Sequence, residues 1–370
     1  MPGRRTTSLT WERVLARRMH RHHLVERAPA SDALRVVAEI CGLHAQVMSS
    51  AELSLWARVE GLERGAVQEA LWERRTLVKL WAMRGTLHLL PTAELGTWLS
   101  AFGMYRHYGN RTPEIEAIAD AVAAVLPGRL LTREELAAEV ETRTGSPLLG
   151  EWVRESWGTS LKAISFRGLL CFAPTENGRV RFTAPDTWVP GATERVAPET
   201  ALQEVTRRFL LAYGPATAAH FGLWWGGTAP TRARDLLEAL GDEACEVELD
   251  GERVWLRADD AAPGSAQPPR CARLLPAFDP WVVGASRTAA AVVDPRHRAR
   301  IYRPQGWMSP VVLVEGRIVG VWKHAVKARH VAVELEPFAR LPAWARGELA
   351  AEAERLAAFF ERDLRLSVSA

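Results

Sequence analysis

Two dipeptides, Asn177-Gly178 and Asp250-Gly251, constrain this chain more than any other feature. Each interrupts a run of alternating apolar and polar residues. Such a spacing suits a two-residue turn with positive φ at both central positions, so each predicts a tight β-hairpin. What precedes them is shared as well. Before the first, "REELAAEVETRTG" and "ESWGTSLKAISFRG" read as amphipathic helices. Thr132 and Glu135 form a capping box, Gly145 and Gly168 are stops, and Trp157, Leu161, Ile164 and Ser165 share one side. Before the second, "ALQEVTRRFLLAYGPATAAHFGLWWG" supplies two helices and "TRARDLLEALG" a third. A less regular copy comes first: helices in "SDALRVVAEICGL", "SAELSLWARV" and "AVQEALWERR" lead to a hairpin in "LVKLWAMRGTLHLLP" that turns near Met83 to Gly85. Helices closed by a hairpin, three times over, form the winged-helix pattern.

The Pro- and Gly-rich "DDAAPGSAQPPR" marks a boundary at 259–270. Beyond it, "RLLPAFDPWVVG", "MSPVVLVEGRIVGVWK" and "HVAVELEPF" read as strands, one pair joined at Glu315-Gly316. "PAWARGELAAEAERLAAFFERDL" reads as a helix with Leu349, Ala353, Leu356, Phe359 and Phe360 toward the core. The expected class is α+β. Three tandem winged-helix motifs, at 1–125, 126–197 and 198–262, precede a C-terminal β-rich domain at 271–370, a partial barrel with a covering helix.

The chemistry such a frame could carry narrows by elimination. The four cysteines lie far apart, so no CxxC pair suggests zinc or a redox dithiol. His20 and His23 in "HRHH" are one helical turn apart, but no third ligand stands nearby, and no metal or organic cofactor is expected. Nucleotide-binding, serine-hydrolase and metalloprotease motifs are missing. None of the four lysines, Lys79, Lys162, Lys323 and Lys327, sits in a stretch that obviously desolvates an amine for Schiff-base chemistry. No leader and no uncharged run of about 18 residues is present, so a cytoplasmic protein without membrane contact is expected. The net charge of +3 decides nothing by itself. Basic residues do crowd the start: Arg4, Arg5, Arg13, Arg17, Arg18, Arg21, Arg27 and Arg35 outnumber the acids there, which fits a solvated helix face or a phosphate track.

One stretch remains, "LHAQV". If the preceding helix ends at Gly42, the chain beyond it is extended or turning, and His44 and Gln46 share a side. They would then either cap the next helix and satisfy buried backbone groups, or hold a water molecule between an imidazole base and an orienting amide. The second reading implies a rate that falls below a pH of about 6.5, the ordinary imidazole value.

The chain resembles the AlkZ-like (YcaQ-like) winged-helix DNA glycosylases over most of its length. The resemblance rests on "GLHAQ" with "SSAELSLWAR", on "WAMRGTLHLLP", on "FDPWVVGASR" and on "RPQGWMSPVVLVEGRIVGVWK". It implies three winged helices and a β-rich domain clamped on DNA, with catalysis by a Gln-apolar-Gln or Gln-apolar-Asp motif. The matching positions here are His44 and Gln46, so a histidine replaces the first glutamine. The implied activity is that of a monofunctional glycosylase that hydrolyses the N-glycosidic bond of cationic N7- or N3-alkylated purines. Bulky N7-guanine adducts or cross-links of a genotoxic natural product are included, as in self-resistance and base excision repair. The expected partner is double-stranded DNA carrying such purines, bound by a monomer. Its contacts are expected from Arg84, Thr86 and His88 on one face of the first hairpin. Lys162 and Arg167 on the second recognition helix, Arg179 and Arg181 on its wing, and Trp307 as a wedge complete the set; Trp307 also suits a core position. Asp279 in "FDPW" is either a further catalytic carboxylate or a cap before Pro280. A rival reading is a non-enzymatic winged-helix binder, a transcriptional regulator or a lesion-sequestering protein.

Overall fold

The computed structural model describes residues 9–104, 112–155, 158–261, 269–284 and 289–369. Arg4, Arg5, Trp157 and most of the proposed 259–270 linker lie outside the described residues. Helices α1 (Trp11–Arg21), α2 (Ala33–Glu39), α3 (Met48–Trp56) and α4 (Ala66–Trp72) lead into a first hairpin, β1 (Leu77–Trp81) and β2 (Leu87–Pro91). Helices α5 (Leu95–Phe102), α6 (Pro113–Val125), α7 (Arg133–Thr144), α8 (Pro147–Arg154) and α9 (Thr159–Phe166) lead into a second, β3 (Cys171–Glu176) and β4 (Arg179–Thr183). Helices α10 (Pro198–Tyr213), α11 (Ala218–Trp225) and α12 (Pro230–Glu238) lead into a third, β5 (Ala244–Leu249) and β6 (Glu252–Arg257). The C-terminal part holds β7 (Ala272–Leu275), α13 (Pro280–Val283), β8 (Val311–Val314), β9 (Arg317–Val326), β10 (His330–Pro337), α14 (Ala343–Phe359) and β11 (Asp363–Val368). Three winged-helix segments followed by a β-rich part make the mixed α and β class expected from the sequence.

Local chemistry explains most boundaries. Asn177-Gly178, Asp250-Gly251 and Glu315-Gly316 all have positive φ at both residues, the geometry that matches strand twist across a two-residue turn. Thr132 accepts from the amide of Glu135, whose carboxylate accepts from Thr132 N–H, and Gly145 ends α7 at φ +65°. "ESWGTSLKAISFRG" is not one helix: α8 stops at Arg154, and Gly158 at φ +62° is a left-handed break that a right-handed helix does not contain.

The chain divides into two compact units: Met1–Arg64, Arg207–Trp224 and Thr228–Ala370 form one, and Gly65–Thr206 with Trp225–Gly227 form the other. In the second unit, Leu131 and Thr132 add a short strand beside β4, completing a three-stranded wing. Trp81 packs on Phe172 and Phe182 at ring distances of 4.8 and 6.1 Å.

The first unit holds a five-stranded sheet in the order β7-β8-β9-β10-β11, antiparallel except for its last pair. Helix α14 covers it with Leu349, Ala353 and Leu356, whereas Phe359 and Phe360 are half-buried where the helix frays. Strand β11 was not foreseen. Glu361 at φ +54° turns the chain out of α14, and pairing with β10 makes an edge strand in which the alternating Leu364, Leu366 and Val368 stay half-buried or exposed. "FDPWVVG" is likewise not strand: Asp279 and Pro280 start the helical turn α13.

The N-terminal arginines are neither a solvated face nor a phosphate track for the most part. Arg18 is buried and donates to Tyr213 O at 2.7 Å, Arg21 grips both oxygens of Asp260 at 2.6 Å, and Arg27 pairs with the buried Glu352. Their acceptors come from far along the chain, so no local pattern announces them. Arg35 does stay at the surface, between Asp32 and Glu39. Among the described residues no helix is long and apolar enough to cross a membrane.

The β8–β9 turn rests on α1: a Cβ at Gly316, φ +79°, would lie 2.8 Å from Leu15 Cβ. Gly316→Ala is therefore expected to lose about 1–3 kcal/mol from backbone strain and overpacking together, read as a lower midpoint in urea denaturation.

Candidate active site

Helix α2 ends in a Schellman motif. Cys41 N–H donates to Ala38 O at 3.1 Å and Gly42 N–H to Val37 O at 2.8 Å, with φ of +62° and +89° at the two residues. The hydroxyl of Tyr213 donates to Ile40 O at 2.8 Å and holds this turn. Two left-handed residues reverse the chain, so Leu43 and His44 leave it extended, and Val47 caps α3 without a side-chain hydrogen bond. His44 and Gln46 differ in exposure: the imidazole is buried, while Gln46 is exposed just before α3.

The ring of His44 lies flat on that of Phe278, centroids 4.9 Å apart and planes 11° apart. Phe278 in turn meets Trp307 edge-on at 5.0 Å and 78°. Phe278 has φ +58°, a left-handed conformation unusual for an aromatic residue and worth about 1–3 kcal/mol of strain. The next residue holds it there. Asp279, fully buried, accepts from both terminal nitrogens of Arg58 at 2.7 Å and from Trp281 N–H at 2.9 Å. Arg58 is equally buried and also donates to Ser54 O at 2.7 Å. Asp279 is thus the cap of α13 and half of a buried ion pair, and its oxygens face protein donors. His22 lies against the same guanidinium, its Nδ1 3.5 Å from Arg58 and its Nε2 3.0 Å from Ala212 O. Burial, and after it the charges of Arg58 and Arg18, push this imidazole well below its ordinary value and keep it neutral.

The expected DNA contacts fall into distinct environments. Arg84 is not on a strand face: it sits in the β1–β2 turn at φ +60°, so strand alternation does not reach it. Its Nη2 lies 3.2 Å from Nε2 of His88, whose Nδ1 lies 3.0 Å from Thr86 O. A guanidinium only donates, so Nε2 accepts and Nδ1–H donates, the pattern of a neutral ring. His88 is buried, which corrects its expected position on an exposed wing face; Thr86 is half-buried. Arg167 is held by Glu116 through two contacts of 2.9 Å, and Arg181 by Pro174 O at 2.8 Å and Glu176 at 3.2 Å. Arg179 is exposed, and Lys162 is half-buried on α9. Trp307 is 46% exposed, so the alternative of a core tryptophan is set aside. Among the described residues no cluster of three or more His, Cys, Asp or Glu side chains could hold a metal.

A family model described as "DNA glycosylase AlkZ-like" matches residues 37–359, from α2 to the end of α14. The chain belongs to the AlkZ-like DNA glycosylases. It is 34% identical over 327 residues to an interstrand DNA cross-link repair glycosylase of Streptomyces sahachiroi, covering 85% of this chain and 88% of that protein. The solved structure of the Streptomyces sahachiroi DNA glycosylase AlkZ matches with a TM-score of 0.87 at 31% identity, over 98% of this chain and all of that one.

Residue patterns alone missed two side chains around His44, Phe278 and Arg58, and a third, Lys79, within the other unit. Phe278 stacks on His44 only because of a backbone conformation that its own residue type disfavours. Arg58 reads as the tail of α3, its partner 221 residues away. Lys79 does meet a desolvating wall, supplied by β3: its Nζ lies 5.2 Å from the Phe172 ring centre, and burial pushes its ammonium down to about 8.

Two outcomes are expected. Arg58→Ala leaves the Asp279 carboxylate buried without its cation and loses about 3–5 kcal/mol, measured by chemical denaturation. For Lys79, charging is disfavoured in the fold but not in the unfolded chain, so the penalty is fully present below pH 8 and disappears as pH rises toward 10.5. Lys79→Met therefore gains about 1–3 kcal/mol at pH 7, and this gain fades between pH 8 and 10.5. A gain independent of pH would show that the ammonium is not desolvated.

Proposed function

We propose that this chain hydrolyses the N-glycosidic bond of purines made cationic by alkylation at N7 or N3, with His44 and Gln46 as its catalytic residues. Bulky N7-guanine adducts and interstrand cross-links are included among the substrates, in keeping with the relative named for cross-link repair. The observation that carries the reading is the flat-stacked imidazole of His44 two residues from an exposed amide, inside the stretch that the glycosylase family matches.

An N7-alkylated guanine already bears a positive charge and departs as a neutral base, so a strong general acid is unnecessary. Two tasks remain: tolerating an oxocarbenium-like sugar and aiming one water at C1′. Phe278 covers one face of the His44 ring, which limits the ring's rotation, and the edge of the ring is the part that acts on the water. A base with less orientational freedom surrenders less of it in the transition state. Gln46 supplies an acceptor and a donor that orient the same water. General-base assistance of this kind is worth about 10²–10⁴-fold.

The protein acts as a monomer on double-stranded DNA, without a metal or organic cofactor, and its biological setting is self-resistance to a DNA-alkylating natural product. The three winged-helix segments, at 1–125, 126–197 and 198–262, and the β-rich domain at 271–370 supply the DNA-holding surface. Arg179 and Lys162 reach phosphate most directly. Arg167 and Arg181 first have to release Glu116 and Glu176. Arg84, Thr86 and His88 act as one hydrogen-bonded unit.

The test incubates duplexes carrying N7-methylguanine, a bulky N7-guanine adduct or an N7-guanine cross-link with wild type, His44→Ala and Gln46→Ala, and measures free base and abasic sites in single turnover. His44→Ala is expected to slow release by about 10²–10⁴-fold and Gln46→Ala by a smaller factor, with lesion binding nearly intact. Tight retention of lesion DNA by wild type with no base released from any substrate would replace hydrolysis by sequestration.

A further inference from the structure

The aromatic stack does not end at Phe278. His44 and Phe278 are both buried, and the first member of the series that solvent can reach is Trp307, 46% exposed. Each ring-to-ring step is about 5 Å. The indole of Trp307 combines a large apolar face with a polar N–H edge, which suits it to stack on a ligand where protein meets water. Its mounting, moreover, is rigid. Pro304 to Trp307 form a tight turn with φ of +60° at Gln305 and +76° at Gly306, a conformation that glutamine seldom adopts. Arg303 N–H donates to Trp307 O at 2.8 Å, Tyr302 and Met308 bridge the two arms, and Ser309 N–H donates to Ile301 O at 2.9 Å. Two strained positions, Gln305 and Phe278, thus hold a bare aromatic surface at a set distance from the candidate catalytic imidazole.

We propose that Trp307 is the specificity-determining residue of this site, stacking on a flat aromatic group of the damaged nucleotide and so bringing its glycosidic bond to His44. This rests on the glycosylase reading above and adds the kind of lesion preferred. The ligand chemistry is a planar π face, which has two sources: the alkylated purine itself, or a polycyclic aromatic group attached at its N7. Polar or aliphatic adducts offer no such face and are poor substrates if the group at N7 is what stacks. Phe278 backs the indole edge-on and is not itself accessible enough to take the ligand.

The experiment measures Kd by fluorescence anisotropy for three labelled duplexes: undamaged, N7-methylguanine, and N7-guanine bearing a polycyclic aromatic group. Proteins are wild type, Trp307→Ala, Trp307→Leu and Trp307→Phe. Base stacking on an aromatic side chain corresponds to about 5- to 150-fold in affinity. Trp307→Ala and Trp307→Leu are expected to lose a factor of that size in lesion-over-undamaged preference, and Trp307→Phe to keep most of it. Loss confined to the polycyclic duplex identifies the adduct as the stacked group, and equal loss on both damaged duplexes identifies the purine. The proposal is overturned if Trp307→Leu, folded by its melting curve, discriminates as wild type does, or if Leu and Phe behave alike. Because binding is read without base release, this result stands apart from a failure of hydrolysis, which free-base assays on wild type report separately.

Discussion

The ion pair between Arg58 and Asp279 underlies the candidate site. Both side chains are fully buried, and removing each charge from water costs several kcal/mol, which their attraction offsets only with near-ideal geometry and full hydrogen bonding. The geometry meets the first, and the hydrogen bonding comes close to the second, with Nε of Arg58 the one polar side-chain atom of the pair that lacks a partner among the described residues. The carboxylate takes two guanidinium bonds and a backbone amide, while the guanidinium also reaches Ser54 O. This lock joins the end of α3 to the start of α13. It fixes the residue before Asp279 in a left-handed conformation, and that residue lays its ring on His44. A structural charge pair and the candidate catalytic imidazole are thus linked by a single phenylalanine.

The same economy shapes the surrounding histidines. His22 and His88 both make hydrogen bonds that suit a neutral ring, one between Arg58 and a carbonyl, the other between Arg84 and a carbonyl. For His22, burial and then the nearby charge of Arg58 favour the unprotonated form. Arginine also serves structure over binding in the N-terminal segment, where Arg18, Arg21 and Arg27 close onto internal acceptors. Counting basic residues in such a sequence therefore overstates the charge available to a phosphate backbone. Arg167 and Arg181, satisfied by Glu116 and Glu176, carry the same lesson.

Much of the fold was legible because its signals are local. The paired positive-φ turns at 177–178, 250–251 and 315–316, the Thr132 capping box and the glycine stop at Gly145 each act within a few residues. The helix break at Gly158 and strand β11 were not, because the first needs a left-handed residue where periodicity shows none and the second is a short alternating run directly after a helix whose pattern runs into it. Within the site, "LHAQV" stood out as two polar residues in an apolar run, whereas the ring that orients His44 left no trace in the pattern.

Residue order by itself determined the succession of helices and hairpins, the C-terminal sheet with its helix, and the identity of the two polar side chains after α2. These follow from φ preferences, capping and periodicity, which act over one or two turns of chain. Tertiary structure alone decided that Arg58 meets Asp279, that Phe278 faces His44, that Lys79 loses its water, and that Trp307 stays open at the end of an aromatic series. Each of these depends on which distant segment supplies the neighbour, and desolvation, stacking and charge pairing are properties of that neighbour as much as of the residue.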